Sequence, residues 1–311
     1  MFKHFSVLNE ETVNNVLNDK SGIYIDGTLG GGGHSKKLLS LLSDKGQVIA
    51  FDQDNLAIKN AKQEIKSTNF QTIHANFKNL TKELNKRGIK QINGLILDLG
   101  FSSPQIDDPS RGFSYMQDGP LDMRMDITQS KTAYDIINNY SAEELVKVFF
   151  KYGEEKNAKI IVKKIVQQRN IIPIKTTLEL VEIIETALPY KLKKKITGHN
   201  AKKIFQALRI EVNEELKVLD DVLEQAFLLL ANHGRISVIT FHSLEDKIVK
   251  NKFKKFSEVS EELKNLPQIP QEYLPKGKKI TTKPILPSSK ELTENSRSKS
   301  AKLRVLEKNE K

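Results

Sequence analysis

The stretch that decides the fold runs from Ile23 to Ser35 and reads IYIDGTLGGGGHS. Three residues of strand type, Ile23-Tyr24-Ile25, end at an acid, Asp26; Gly27 and the run Gly30 to Gly33 follow, and a helix is expected from about Ser35. Glycines here let the backbone approach a ligand and take positive φ without a steric penalty. The helix N-terminus behind them favours negative groups. Asp52 closes the next apolar run, Val48-Ile49-Ala50-Phe51, 20 residues past Gly32. A carboxylate in that position can accept hydrogen bonds from both hydroxyls of a ribose. A third run, Leu95-Ile96-Leu97, ends at Asp98, and Gln71 to His74 reads as a weaker strand before it. Short continuous apolar runs separated by helix-length segments predict a parallel sheet covered on both faces, the core of an α/β doubly wound fold.

Which ligand such a loop takes depends on its register. No G-x-G-x-x-G fits this run, because Ser35 or Lys36 falls where the third glycine should be. A nicotinamide oxidoreductase is therefore disfavoured. Asp26 suits a ligand carrying an ammonium group better than a pyrophosphate. S-adenosylmethionine carries a sulfonium, an ammonium and a carboxylate, and needs no phosphate cradle. The plainer alternative is a tight glycine turn with no ligand. His34 reads as a ligand contact or a cap: the six histidines are scattered, with no H-x-H or H-x-x-x-H pair, and cysteine is absent. No metal site is expected. The absence of G-x-S-x-G speaks against a hydrolase built on His242 and Ser243.

The third strand end continues as Asp98-Leu-Gly-Phe-Ser-Ser-Pro-Gln105. In a doubly wound sheet the ligand crevice lies outside the carboxyl ends of the strands, so this segment should face the cofactor. Methylating an exocyclic amine requires acceptors that draw its hydrogens out of the ring plane, because the nitrogen lone pair is delocalised into the ring. Asp98, Ser102 and Ser103 are the candidate catalytic residues for that task; the alternative role for Asp98 is to cap the turn.

The next convincing strand, Arg235 to Phe241 (RISVITF), follows the turn Asn232-His233-Gly234. One crossover needs only about a dozen residues, so an insertion is expected at roughly 108–200, with the core formed by 1–107 and 201–311. Ser141-Ala-Glu-Glu144 is a capping box, Ala158, Ile161, Val162, Ile165 and Val166 form a helical stripe, and Thr176 to Leu188 gives another helix. A long helix from about 201 to 231 is assigned to the main sheet. The Pro- and Lys-rich stretch at about 256–300 should be a surface loop, and Ser300 to Leu306 a last strand at the sheet edge.

A hydrophobic fraction of 38% with 14 Phe is enough for a packed core. The N-terminus lacks the apolar region of a signal peptide, no window has the length of a membrane helix, and the missing cysteines suit a reducing cytosol, so a cytoplasmic protein is expected. The formal charge of +11 favours a polyanion. It is uneven: Lys191 to Lys203 holds six Lys and no acid, and Lys276 to Lys308 holds ten basic residues against three acidic ones. A non-catalytic RNA-binding assembly factor would share these patches without needing Asp52 or Asp98.

Together, HFSVLNEE, YIDGTLGGGGHS, IAFDQD, LDLGFSSPQIDDPSRGFSYMQDGPLDMRMD, YGEEKNAKIIVKKI, FQALRIEVNEEL, GRISVITFHSLEDKIVK and ENSRSKSAKLRVLE resemble the bacterial small-subunit ribosomal RNA (cytosine-1402-N4)-methyltransferase family across nearly the whole chain. The resemblance implies a class I S-adenosylmethionine-dependent methyltransferase fold with an inserted helical domain. It implies methylation of N4 of a cytidine in the decoding region of 16S rRNA, with rRNA or the assembling small subunit as partner. Cofactor contacts carry over to Gly32, Gly33, His34, Asp52, Phe77, Asp98 and Gln105, with Phe77 packing on the adenine. The target base must be splayed out of its helix, and the insertion is expected to cap it, with Arg111, Asp122 and Arg124 as candidate polar contacts and Lys202 and Lys203 as candidate RNA contacts. The methylase motif reads DLGFSSP where most amino-methyltransferases have (D/N/S)PP(Y/F), and Asn200, Lys203 and Ser296 replace the family's usual Pro, Arg and Pro.

Overall fold

All three acid-terminated runs are strands: β1 (Ile23–Asp26), β2 (Gln47–Asp52) and, after β3 (Phe70–His74), β4 (Ile92–Asp98). They join β5 (Leu230–Thr240), β6 (Gly277–Lys279) and β7 (Lys302–Lys308) in one sheet of order β3-β2-β1-β4-β5-β7-β6. β1 to β5 pair in parallel, and β7 runs antiparallel to both β5 and β6. This is the class I Rossmann-like arrangement. The computed structural model describes residues 6–101, 103–189, 199–264 and 267–309.

The continuous apolar runs are explained by covering on both faces. Leu95 and Leu97 point into one cluster with Leu219, Leu223 and Phe227, while Ile96 points into another with Val13, Tyr24 and Leu38. Successive side chains of a strand alternate faces, so a strand with both faces buried has no polar phase. All parallel strands present their carboxyl ends to one edge, which brings Asp26, Asp52 and Asp98 to the same side of the sheet.

Contacts divide the chain into two units, Met1–Gly100 with Leu216–Lys311, and Phe101–Glu215. The second unit is thus wider than the expected 108–200. It contains the helices Ala133–Asn139, Ala142–Gly153, Ala158–Arg169, Thr177–Ala187 and Lys202–Asn213. Full capping boxes start three of them, at Thr132/Asp135, Ser141/Glu144 and Thr176/Glu179. Helix Lys202–Asn213 belongs here because Ile204, Phe205, Ala207 and Leu208 are buried in this unit's own core with Leu145, Phe149 and Ile161. Each of the Ile, Leu and Phe side chains removed from water contributes about 1.5–3 kcal/mol.

The long helix expected from 201 to 231 is in fact two. Glu214 adopts a left-handed conformation (φ 51°) that ends the first, and Glu215–Leu229 starts the second. The strain of a non-glycine residue there, of order 1–3 kcal/mol, is offset by Arg209, whose Nε and Nη2 donate to the two carboxylate oxygens of Glu215 at 2.8 and 2.9 Å. Three further expectations need correcting. β7 is not at the edge, because β6 pairs outside it. β5 begins before the Asn232–Gly234 turn, which becomes an irregularity in its pairing with β4 between Leu230 and Arg235. The stretch at about 256–300 carries β6, the helix Ser289–Glu294 and short 3-10 turns rather than one loop.

Candidate functional site

The glycine loop is stitched to the neighbouring strand ends by its own backbone. Gly27 N–H donates to the Ile96 carbonyl, and Leu29 N–H to the Phe51 carbonyl, both at 2.9 Å. Thr28 Oγ1 accepts from Asp98 N–H at 2.7 Å. Gly32 sits at φ 74° and starts the helix Gly33–Leu41, a conformation that excludes most side chains. At Gly33 the constraint is space: a Cβ there would lie 2.0 Å from Ser6 Oγ. The carboxylate of Asp26 is 1% exposed and closes the loop onto its helix, accepting from Thr28 N–H (3.1 Å) and Ser35 Oγ–H (2.6 Å). Asp26 therefore holds the loop's shape with both oxygens.

Asp52 holds the loop from the β2 end. Its Oδ2 accepts from Gly30 N–H at 2.9 Å and its Oδ1 from Asp54 N–H at 2.8 Å. Each oxygen keeps lone-pair capacity for a further donor. Burial pushes the Asp52 pKa up to about 6 despite these two hydrogen bonds.

Asp98 and His34 meet beside the loop, with Asp98 Oδ2 3.9 Å from His34 Nδ1. His34 is 4% exposed, and its Nε2 lies 3.2 Å from the Val7 carbonyl. A ring nitrogen against a carbonyl must carry a proton, and the other ring nitrogen, Nδ1, faces Asp98. Asp98 Oδ1 is buried and has no hydrogen-bond partner among the described residues. Burial, reinforced by the charges of Asp26, Glu245 and Glu291, holds the Asp98 carboxyl well above the usual carboxylate range. A buried acceptor without a donor is costly to leave unmatched, and it is chemically suited to a ligand's ammonium or amino hydrogens.

An S-adenosylmethionine molecule fits this donor and acceptor set. Asp52 offers acceptors for ribose hydroxyls, and the glycine loop admits close backbone approach. Phe77 opens the 3-10 turn Phe77–Asn79 just after β3 and packs, partly buried, on the core beneath. Asn76 Nδ2 donates to Gln53 Oε1 at 2.9 Å, tying that turn to the end of β2. Of the seven cofactor candidates, six share this unit; Gln105, buried on the helix Ser103–Asp107, belongs to the other. Ser103 starts that helix, and Ser102 lies outside the described residues.

The expected substrate contacts of the second unit are engaged in its own framework. Arg124 Nε and Nη2 donate to the two oxygens of Asp122 at 2.8 and 2.7 Å, and Nη1 donates to the carbonyls of Ile127 (3.0 Å) and Gln129 (2.7 Å). Burial raises the Asp122 pKa, but the hydrogen bonds from Arg124 outweigh it and hold the group below its ordinary value. Arg111 Nη2 donates to the carbonyls of Arg124 (2.9 Å) and Met125 (3.2 Å). Lys202 and Lys203 are exposed, and Lys203 Nζ donates to the Glu154 carbonyl at 3.2 Å. Lys191, Lys193, Lys194 and Lys195 lie outside the described residues.

Sequence reasoning missed Thr28, Val7 and Glu291, which act through single backbone contacts that no local pattern marks. It also missed Asn213, whose buried amide donates to the carbonyls of Met123 and Arg209 at 2.9 Å and accepts from Met125 N–H at 2.8 Å.

The sequence model of the MraW methylase family matches residues 1–309. Among solved structures, a proposed rRNA methylase from Clostridium thermocellum is 12% identical over 99% of both chains, with a TM-score of 0.45. An rRNA methylase from Streptococcus thermophilus is 13% identical over 97% of this chain and 95% of that one, with a TM-score of 0.41. A proposed methyltransferase from Streptococcus mutans in complex with SAH is 14% identical over 98% of this chain and 99% of that one, with a TM-score of 0.43.

Proposed function

The chain belongs to the MraW methylase family and is an S-adenosylmethionine-dependent rRNA methylase; on that premise we propose that it methylates N4 of a cytidine in the decoding region of small-subunit rRNA. The observation that carries the reading is the end of β4, where Asp98 keeps a buried oxygen without a donor beside the glycine loop. The cofactor supplies a methyl group on a sulfonium. Gly32, Gly33, His34, Asp52 and Phe77 hold and orient it in this reading.

An aromatic amine is a poor nucleophile because its lone pair is shared with the ring. Acceptors at the end of β4, namely the Asp98 carboxyl and the backbone carbonyls after it, draw the amino hydrogens aside and free the lone pair for in-line approach. Such a site cannot reach a stacked and paired base, so the cytidine is presented single-stranded or flipped out. The positive charge of +11 supports a substrate held largely through its phosphates. The partner is the rRNA of the small subunit, free or assembling, and the reaction is placed in the cytoplasm. Incubating the purified protein with S-adenosylmethionine and small-subunit particles lacking the modification, then digesting to nucleosides, tests this: N4-methylcytidine is expected.

A further inference from the structure

We propose that Glu291, on the helix Ser289–Glu294, is a positioning residue for the cofactor loop and acts through the N-terminal segment Ser6–Leu8. The chain of contacts is short. Glu291 Oε1 accepts from Leu8 N–H at 2.9 Å, across 283 residues of sequence. Leu8 is fully buried and sits in the left-handed region at φ 50° and ψ 38°, where a leucine stays only if its surroundings hold it. The carbonyl immediately before it, that of Val7, accepts from His34 Nε2 at 3.2 Å. The residue before that, Ser6, lies against Gly33 so closely that a Cβ there would be 2.0 Å from its Oγ. One strap of three residues therefore rests on both Gly33 and His34, and Glu291 is the side chain that ties the strap down.

The tie fixes more than packing. With Nε2 committed to Val7, the His34 ring turns Nδ1 toward Asp98 at 3.9 Å. If the Leu8 N–H lost its acceptor, it would be an unmatched donor in the core, and the strained Leu8 would relax toward an extended conformation. The Val7 carbonyl would turn with it and release the ring. Glu291 also acts at longer range, since its charge is one of those that raise the Asp98 pKa.

Two substitutions separate these effects. Glu291→Gln keeps an oxygen that accepts from Leu8 N–H; Glu291→Ala does not. Calorimetry should show S-adenosylmethionine binding weakened about tenfold in Glu291→Ala, as for a strap that holds its binding geometry only about a tenth of the time, and restored to within roughly threefold of wild type in Glu291→Gln. The acid limb of binding should move to lower pH in Glu291→Gln, because removing a negative charge favours ionised Asp98. In spectra of protein with 15N-labelled histidine, the His34 Nε2–H resonance should shift in Glu291→Ala and return in Glu291→Gln. If Glu291→Ala does not fold, Glu291→Asp, one methylene too short to reach Leu8, takes its place. Wild-type affinity in the variant without the acceptor, or equal loss in both variants, overturns the proposal. None of these readouts uses RNA, so their failure would leave the N4 assignment standing.

Discussion

Asp52→Asn should make the protein more stable and a worse binder at once. In the ligand-free protein the Asp52 carboxylate accepts two backbone N–H groups, yet burial lifts its pKa to about 6. An acid whose pKa rises on folding binds its proton more tightly folded than unfolded. Its ionisation therefore costs stability, fully above pH 6 and not at all below about pH 4. The rise from an ordinary aspartate value of about 4 corresponds to about 3 kcal/mol at neutral pH. Asparagine removes that cost but keeps only one acceptor, so about 1 kcal/mol is returned and roughly 1–2 kcal/mol of net stabilisation remains. For a unit of this size that is a rise in Tm of roughly 3–6 °C at pH 7.5 without cofactor, vanishing toward pH 4. The same change deletes the charged acceptor offered to the ribose, so the Kd for S-adenosylmethionine should rise about 10- to 100-fold in calorimetry at pH 7.5. Wild-type binding with an unaltered Tm would refute both the electrostatic and the ligand assignment of this carboxylate.

Other substitutions divide the two units. Asp98→Ala should abolish methyl transfer while leaving circular dichroism unchanged; residual turnover above a hundredth of wild type would contradict its role at the acceptor nitrogen. Arg124→Ala removes the bidentate partner of Asp122 and the donor to two carbonyls, and should lower unfolding stability by about 2–4 kcal/mol. Denaturant titration reads that loss, and cofactor binding should stay within roughly threefold. Replacing Lys202 and Lys203 by Gln should reduce the slope of log K for RNA against log salt by about 0.7–0.9 per lost phosphate contact; an unchanged slope would mean that these side chains are only solvated.

The parts of the fold set by continuous patterns were legible. Apolar runs ending in Asp26, Asp52 and Asp98 become three strand ends on one edge because burial on both faces demands uninterrupted hydrophobicity. The capping box at Ser141 is a local hydrogen-bond pattern and forms as written, and the helix expected from Thr176 opens on a second such box. The break at Glu214 was not legible: apolar residues keep helical spacing on both sides of it, and its left-handed residue is neither Gly nor Asn. Only the two separate cores, one for Phe205 and one for Leu219, distinguish the helices. β6 escaped because three residues of Gly-Lys-Lys carry no apolar signal and are set by pairing with β7. The pairing of Arg124 with Asp122 could not be read either, since a bidentate pair closing its own loop looks in sequence like any two neighbouring charges.

The central claim is that the acceptor is an exocyclic amine at the end of β4. Mass mapping of small-subunit rRNA after reaction with the protein and S-adenosylmethionine tests it most directly. The account predicts a single added methyl group on N4 of one cytidine in the decoding region, absent with Asp98→Ala. A methyl group on ring carbon 5 or on a ribose oxygen would contradict it.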